Sequence, residues 1–357
     1  MTIQKKDLLK KLSLCMSGIE KGNPILQGAD SFIFYKDRIF AYNDMISVSV
    51  PIENTEMLAE NLEGAVRAEE FFKIINKMPN EEILFEVSDN KTWILKSGRA
   101  KAELALVEFD YEKRLNEIQI EENDNWIELD DDFVTGLNVC KMARNTTPLS
   151  GTFIKGKYIM STDGYQINRF EMKDCELPEF WVSDKSMAEL LKFTKLNMIQ
   201  IQNNWVHFKS ENDIVFSLKT LVTTKYPFDA CCKLLDGVEL DNLIKGRFPS
   251  EIQNVIERAG VFNIVMENHS AVKLVLDKEG IEVSSENAVG NYSEKINWED
   301  GEKDFEEITV YVDADMIKSA SLRTLEFYLQ KIERKAPRLY FVTDSSIHLM
   351  STLTHKE

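Results

Sequence analysis

Apolar and polar positions along the chain change period in a repeating order. Lys5–Ile19 sets Leu8, Leu9, Leu12, Cys15, Met16 and Ile19 on one helical face, with Lys6, Lys10 and Lys11 off it, before Gly22 and Pro24 break the pattern. Ser31–Ile52 then alternates as two or three strands around turns at Lys36-Asp37 and Asn43-Asp44. Arg67–Met78 is a second amphipathic helix, stopped by Pro79, and three more strands follow around turns at Asp89-Asn90 and Gly98. After an acidic connector, Glu121–Asn125, the order returns: a helix over Asp130–Arg144, strands over Thr152–Met172 with a polar turn at Thr162-Asp163-Gly164, a helix over Asp184–Lys195, and strands again. A second connector, Asp236–Asp241, precedes a third round with helices over Pro249–Phe262 and Asp313–Arg323. Each round takes about 120 residues, too long for a solenoid repeat and the right size for a domain. The pattern predicts an α+β protein of three tandem domains, 1–120, 121–238 and 239–357, each with two helices packed on antiparallel sheet strands.

Composition narrows the function. With 357 residues, 43% hydrophobic and 29% charged, the chain has apolar material for more than one core. It has neither a run of about 18 apolar residues nor a charged-then-apolar leader, so a cytoplasmic protein with no membrane partner is expected. Five cysteines without paired spacing suit a reducing compartment, and Cys231-Cys232 reads as two small half-buried residues rather than a redox pair. The net charge of −17 argues against simple wrapping onto nucleic acid. Yet the six expected helices carry a net positive charge, so the sheets and loops are more acidic than the chain as a whole. Asp130-Asp131-Asp132 has the look of a metal or phosphoryl-transfer cluster, but carboxylates at a helix start cap free N–H groups and oppose the macrodipole. His207, His269, His348 and His355 show no ligand spacing, and no Walker loop or dinucleotide fingerprint is present. No metal, no cofactor and no enzymatic activity are expected.

Short pieces in a fixed order carry a family likeness: Asn23-Pro24-Ile25-Leu26, Ile83–Arg99 ending in Ser-Gly-Arg, Ser161-Thr162-Asp163-Gly164 and Leu221–Pro227. In this order and spacing the chain resembles, over essentially its whole length, the bacterial DNA sliding clamp, the DNA polymerase III beta subunit family. The resemblance implies a head-to-tail homodimer of three-domain subunits, a ring (the DNA clamp fold) whose helices line a central hole and whose sheets form the outer wall. It implies a non-enzymatic processivity factor that encircles double-stranded DNA without sequence preference. The DNA polymerase and a separate, ATP-using clamp loader would be held through short peptide motifs. Two departures, the ending Leu349–Glu357 in place of an apolar-rich tail and Tyr165-Gln166 after the Thr-Asp-Gly turn, bear on partner preference and suit a phage or plasmid version.

The resemblance also implies site residues. Lys10, Lys11, Lys21, Arg144, Asn145, Thr147 and Lys185 would face DNA, and spacing adds Lys73, Lys192 and Lys195. A partner-peptide groove would be formed by Leu149, Thr162, Gly164, Tyr165, Gln166, Ile167, Pro227, Cys232, Leu349, Met350 and Leu353. Each apolar member competes with ordinary core packing, whereas Tyr165, an aromatic with a polar tip, suits a rim. Val261 and Phe262 of one subunit would meet the sheet edge near Leu104 of the other. Two other readings stand beside the clamp: an adaptor of the same fold that binds peptides without riding on DNA, and a carboxylate-dependent hydrolase using Asp130–Asp132.

Overall fold

One local motif accounts for most of the described chain: a short lead strand, a helix and antiparallel strands, six times over. The computed structural model describes all residues except 1, 23, 53–61, 90, 119–124, 143–147, 194, 267–268, 300, 302–305, 334 and 355–357. The first copy is β1 (Thr2–Gln4), α1 (Lys5–Cys15) and β2–β4 (Ser31–Tyr35, Arg38–Tyr42, Ile46–Pro51). The second is β5 (Gly64–Arg67), α2 (Ala68–Lys77) and β6–β8 (Glu82–Asp89, Thr92–Ser97, Ala100–Ala105), followed by a connecting helix α3 (Tyr111–Ile118). The third is β9 (Ile127–Glu128), α4 (Phe133–Cys140) and β10–β12 (Thr152–Gly156, Tyr158–Thr162, Gln166–Glu171). The fourth is β13 (Leu177–Val182), α5 (Asp184–Leu190) and β14–β16 (Leu196–Gln202, Trp205–Ser210, Val215–Lys219), with a second connecting helix, α6 (Phe228–Asp236). The fifth is β17 (Ile244–Arg247), α7 (Ile252–Ala259), a short β18 (Ile264–Met266) and β19–β21 (His269–Leu276, Gly280–Asn287, Gly290–Asn297). The sixth is β22 (Ile308–Asp313), α8 (Ala314–Ser321) and β23–β25 (Glu326–Ile332, Lys335–Val342, Ser346–Ser351).

The α+β class and the order of helices and strands follow the sequence pattern, while several bounds do not. The expected helix over Lys5–Ile19 ends at Cys15 and tightens into a 3₁₀ turn, Met16–Gly18. Asp130–Arg144 contracts to Phe133–Cys140, and Asp184–Lys195 to Asp184–Leu190. With these bounds only α1 keeps a clear positive surplus, four lysines against Asp7, so the charge segregation inferred from the longer helices is weaker than expected. The lead strands and both connecting helices were not anticipated. The lead strands are short; β9 has 2 residues and β17 has 4, below the length at which alternation is readable.

Contacts gather the chain into two compact units, Met1–Val134 with Phe180–Leu221, and Thr135–Glu179 with Val222–Glu357. Unit 1 holds an eight-stranded sheet ordered β5-β2-β3-β4-β16-β15-β14-β9 and a four-stranded sheet ordered β1-β6-β7-β8. The lead strands are exchanged: β5 completes the sheet of β2, and β1 that of β6. Leu8, Leu12 and Cys15 of α1 and Phe71 and Ile75 of α2 are buried in the core. Phe71 sits edge-on to Phe32, Phe34, Phe85 and Trp93 at ring separations of 5.8–6.4 Å. The opposite face of the eight-stranded sheet is covered by α3, whose Leu115 and Ile118 cluster with Ile33, Phe40, Tyr42 and Trp205.

Unit 2 repeats the plan. Its larger sheet is ordered β13-β10-β11-β12-β25-β24-β23-β17, and its smaller one β18-β19-β20-β21 with β22 beside β19. Ile252, Val255, Ile256 and Ala259 of α7 and Met316, Ile317 and Ala320 of α8 form one core with Phe248, Phe327 and Phe341. Asp313 caps α8 by accepting from the backbone N–H groups of Asp315 and Met316, at 3.0 and 3.2 Å. On the other face Phe228 of α6 packs on Phe153, 5.2 Å between rings. The smaller sheets end in β8 and β21, whose outer edges are unpaired among the described residues. Glu294 lies opposite Val283 on the core-facing side of β21 and is held by Arg258 at 2.8 Å, a charge pointing inward at a free edge.

Two buried histidines tie folding to pH. Burial pulls the His207 imidazole from 6.5 down to about 4, and burial with nearby Arg323 pulls His348 down to about 3. A depressed folded value means that the unfolded chain binds the proton first. The contribution is complete above pH 6.5 and is lost as pH falls toward 4. For His207 alone this amounts to about 2 kcal/mol between pH 7.5 and 5. The stability gap between wild type and His207→Gln, measured by urea denaturation, is therefore expected to be smaller at pH 5 than at pH 7.5 by about that amount. An unchanged gap would contradict a neutral buried imidazole.

Candidate functional site

In unit 2 the turn between β11 and β12 is fixed by its own side chains. Thr162 Oγ1 donates to the Gln166 carbonyl at 2.7 Å. Asp163 Oδ1 accepts from the backbone N–H groups of Tyr165 and Gln166, both at 2.9 Å, and Oδ2 accepts from Gln166 Nε2 at 2.8 Å. Gly164 supplies the left-handed position the turn requires, with φ +91° and open space where a Cβ would sit. The Tyr165 ring is 37% exposed and lies edge-on to His269, 4.3 Å between ring centres. His269 Nδ1 is in turn 3.1 Å from Asp313 Oδ2.

Strand β12 then runs antiparallel to β25, pairing Ile167 with Leu349 and Gln166 with Met350. The period of two sends these pairs to opposite faces. Gln166 Nε2 is held by Asp163, and Gln166 Oε1 lies 3.0 Å from His348 Nε2, which requires this imidazole nitrogen to carry the hydrogen. Two residues on, Asn168 accepts from Arg323 at 2.8 Å, and Met350 is 0% exposed within the core around α7 and α8. These inward residues support the turn and the core. The outward face is that of Ile167, Arg169 and Leu349. Arg169 pairs with Asp236 of α6 at 2.7 Å, stacks over Tyr158 at 4.9 Å and bonds Cys232.

Of the expected groove, Ile167, Leu349 and Cys232 are gathered on the outward face by these contacts, while Gln166 and Met350 lie behind the sheet. Leu349 is itself buried. Pro227 is half-buried at the head of α6, and Leu149 is half-buried in the turn before β10. Leu353 is half-buried just past β25 and makes a lone β-bridge to Tyr311. Sequence reasoning missed Tyr158, Arg169, Phe228 and Asp236 on this face. The spacing Phe228, Cys232, Asp236 along one helical stripe was the available signal. Cys232 is half-buried as expected, and Cys231 is buried.

The expected DNA-facing residues that are described all belong to unit 1, while Arg144, Asn145 and Thr147 lie outside the described residues. Lys73, Lys192 and Lys195 each pair with a nearby carboxylate, Glu69, Glu189 and Glu211. Lys11 donates to the Pro51 carbonyl at 2.8 Å. Lys10, Lys21 and Lys185 are exposed and, among the described residues, make no ion pair. Hydrogen bonding between Glu189 and Ser17 ties α5 to the end of the first helical segment. Asp130–Asp132 precede α4, where the Asp130 carbonyl accepts from Phe133 N–H at 3.0 Å. No cluster of three or more His, Cys, Asp or Glu able to hold a metal occurs among the described residues, and none of their helices is long and apolar enough to cross a membrane. His355 lies outside the described residues. At the unpaired edges, Leu104 is half-buried on β8, Val261 is 70% exposed, and Phe262 lays its ring over Gly290 of its own β21.

No family model matches this chain, and no curated protein matches it. Solved structures do. The DNA polymerase sliding clamp of Bacillus subtilis matches with a TM-score of 0.81 at 19% identity, covering 99% of each chain. The putative DNA polymerase III beta subunit of Eubacterium rectale matches at 0.78 and 17%, again over 99% of each. The Helicobacter pylori beta clamp bound to a DNA ligase peptide matches at 0.78 and 15%, over 99% of this chain and 100% of that one. The fold is therefore that of the bacterial sliding clamps.

The turn carries a direct test. Replacing Asp163 with alanine removes the acceptor for three hydrogen bonds and leaves Gln166 Nε2 without a partner, so Asp163→Ala should cost about 2 kcal/mol. Urea denaturation measures it, and a loss below about 0.5 kcal/mol, the size of an ordinary surface change, would mean that the carboxylate does not hold the turn.

Proposed function

We propose that this chain is a DNA sliding clamp, a non-enzymatic processivity factor whose three domains, 1–120, 121–238 and 239–357, close head to tail with a second copy around duplex DNA. One observation carries the reading. The last strand of the first motif, β4, pairs with the last strand of the fourth, β16, and in the same way β12 pairs with β25. The rule leaves β21, last strand of the fifth motif, and β8, last strand of the second, without partners in one chain. Continuing the rule joins β21 of one copy to β8 of the next, and two such joints close a ring. Tyr292, Glu294 and Ile296 would then face Ala102 and Leu104 across the joint, with Val261 and Phe262 beside it.

A closed ring is held on DNA by topology, so weak contacts suffice and tight phosphate binding would be a brake. Exposed Lys10, Lys21 and Lys185, with Lys73, Lys192 and Lys195 already paired to carboxylates, suit loose, salt-sensitive contact. The likeness to a clamp carrying a ligase peptide supports a second role for the outward face of Ile167, Leu349 and α6: holding short peptides of the DNA polymerase and of a separate loader. The alternative, an adaptor of this fold that does not ride on DNA, is favoured only by the scarcity of unpaired lysines.

Retention decides between them. The clamp should stay on nicked circular plasmid through gel filtration and be lost once the plasmid is linearised; equal loss from both forms would sink the encircling role. Leu104→Glu would bury an unpaired carboxylate in the joint, and is expected to give a folded monomer by sedimentation with no retention on circles. A Leu104→Glu protein that remains dimeric would place the joint elsewhere.

For the groove, a peptide draws most of its affinity from a few anchors, so Ile167→Asp and Tyr165→Ala should each weaken a polymerase-derived peptide by more than about 1 kcal/mol without altering the dimer. Unchanged affinity in both, read by fluorescence anisotropy, would remove the groove from this face.

A further inference from the structure

The outer face of unit 1 repeats the peptide groove of unit 2 position for position, with a different lining. The cross-strand pairs Tyr42–Ser47 and Phe40–Ser49 correspond to Thr162–Ile167 and Met160–Arg169. Ser47–Ser217 corresponds to Ile167–Leu349, and His207–Ser217 to Tyr340–Leu349. Ser47 thus stands where Ile167 stands, Ser217 where Leu349 stands, and His207 where Tyr340 stands. Helix α3 covers this face as α6 covers the other.

A cavity of about 290 Å³ opens here, bounded by Phe40, Leu115, Ile118, Trp126 and Val215 and by the polar set Ser47, Ser49, Ser217 and His207. Its size is at the small end of ligand pockets, about 300–1,000 Å³, which suits an anchoring side chain rather than a cofactor. Two polar groups that line it make no hydrogen bond among the described residues. His207 Nδ1 bonds Ser217 Oγ at 2.8 Å, but His207 Nε2 and Ser47 Oγ have no partner among the described residues, although these side chains are only 1% and 3% exposed. The rim keeps a single net positive charge, three cations against two carboxylates. Lys36, Asp37, Arg38 and Lys209 stand on it, with Arg38 and Lys209 sharing Asp213 at 2.7 and 2.6 Å and Lys209 lying over Trp126.

We propose that this cavity is a second peptide site, taking a short segment in which an acidic residue adjoins an apolar anchor. The anchor fills the space among Phe40, Leu115, Ile118 and Trp126; Ser47 and His207 offer hydrogen bonds from the floor of the cavity; the carboxylate meets Lys209 and Lys36. The inference rests on reading the corresponding face of unit 2 as a peptide groove. Serines and a neutral histidine in place of Ile167, Leu349 and Tyr340 would make the two sites select different peptides.

The full chain, labelled with ¹⁵N-tryptophan, is titrated with acetyl-Asp-Leu-Phe-amide and with its Asn-Leu-Phe counterpart. The Trp126 indole resonance, assigned by its absence in Trp126→Phe, reports this site alone. A saturable shift is expected, at least tenfold weaker for the Asn peptide and for Lys209→Gln, abolished in Ser47→Phe, and unchanged in Ile167→Asp. A silent Trp126 at millimolar peptide overturns the proposal, as does equal binding of both peptides or indifference to both Lys209→Gln and Ser47→Phe. Calorimetry on the same proteins separates this outcome from the other reading. Heat that disappears in Ile167→Asp while Trp126 stays silent leaves the unit 2 groove standing and rejects the second site. A Trp126 shift with no effect of Ile167→Asp on the calorimetry does the reverse.

Discussion

The edge of a β-sheet exposes a row of unpaired N–H and C=O groups, and the architecture of this chain is a way of using up such edges. Lead strands are traded between neighbouring motifs, so that β5 sits beside β2 and β1 beside β6. The last strands then join, β4 to β16 and β12 to β25, producing two eight-stranded sheets from motifs far apart in sequence. These joints explain why contacts gather the chain into two units that cut across its three rounds. The last strands β8 and β21 stay at sheet edges among the described residues, and the inward Glu294 on β21, clasped by Arg258, discourages indiscriminate pairing there.

Each continuous sheet buries two faces with different helices. In unit 1 the core between α1, α2 and the strands is aromatic and dry, built around Phe71 and Trp93, whereas the α3 face mixes Phe40 and Trp205 with buried hydroxyls and His207. In unit 2 the corresponding outer face carries Ile167, Leu349 and an arginine bridged to α6. A common frame thus presents one greasy and one hydroxylated surface. Affinity for a ligand proposed at either would depend on a few anchoring contacts, so small changes in lining would redirect specificity without disturbing the fold.

The charge distribution bears on the proposed encircling role. A chain with net charge −17 would approach a polyanion poorly if attraction alone had to retain it. Lys73, Lys192 and Lys195 spend their charge on adjacent carboxylates, and exposed pairs of this kind add little to stability. They do lower the net positive field seen from outside. Under the proposed encirclement, the groups left to meet DNA would be a small number of solvated ammonium groups, weakly attractive and readily screened.

The periodicity of the chain by itself determined the class, the order of helices and strands, and the polar turn at Thr162–Gly164, because those depend on local spacing and on side chains that bond their own backbone. It also carried, through short ordered motifs, the likeness that the fold bears out. What it left undetermined depends on contacts remote in sequence. Alternation in Ile46–Pro51 marks Ser47 and Ser49 as outward, which they are, yet both are buried because α3 covers that face. Met350 shares a strand with Leu349 and an apolar character with it, but the two-residue period sends one into the core of α7 and α8 and the other to the opposite face. Lead strands of two to six residues are too short to alternate legibly, and they form because an existing edge pairs them. The tertiary structure alone decided which face of each strand was covered and by what, since burial is a property of neighbours rather than of the residue.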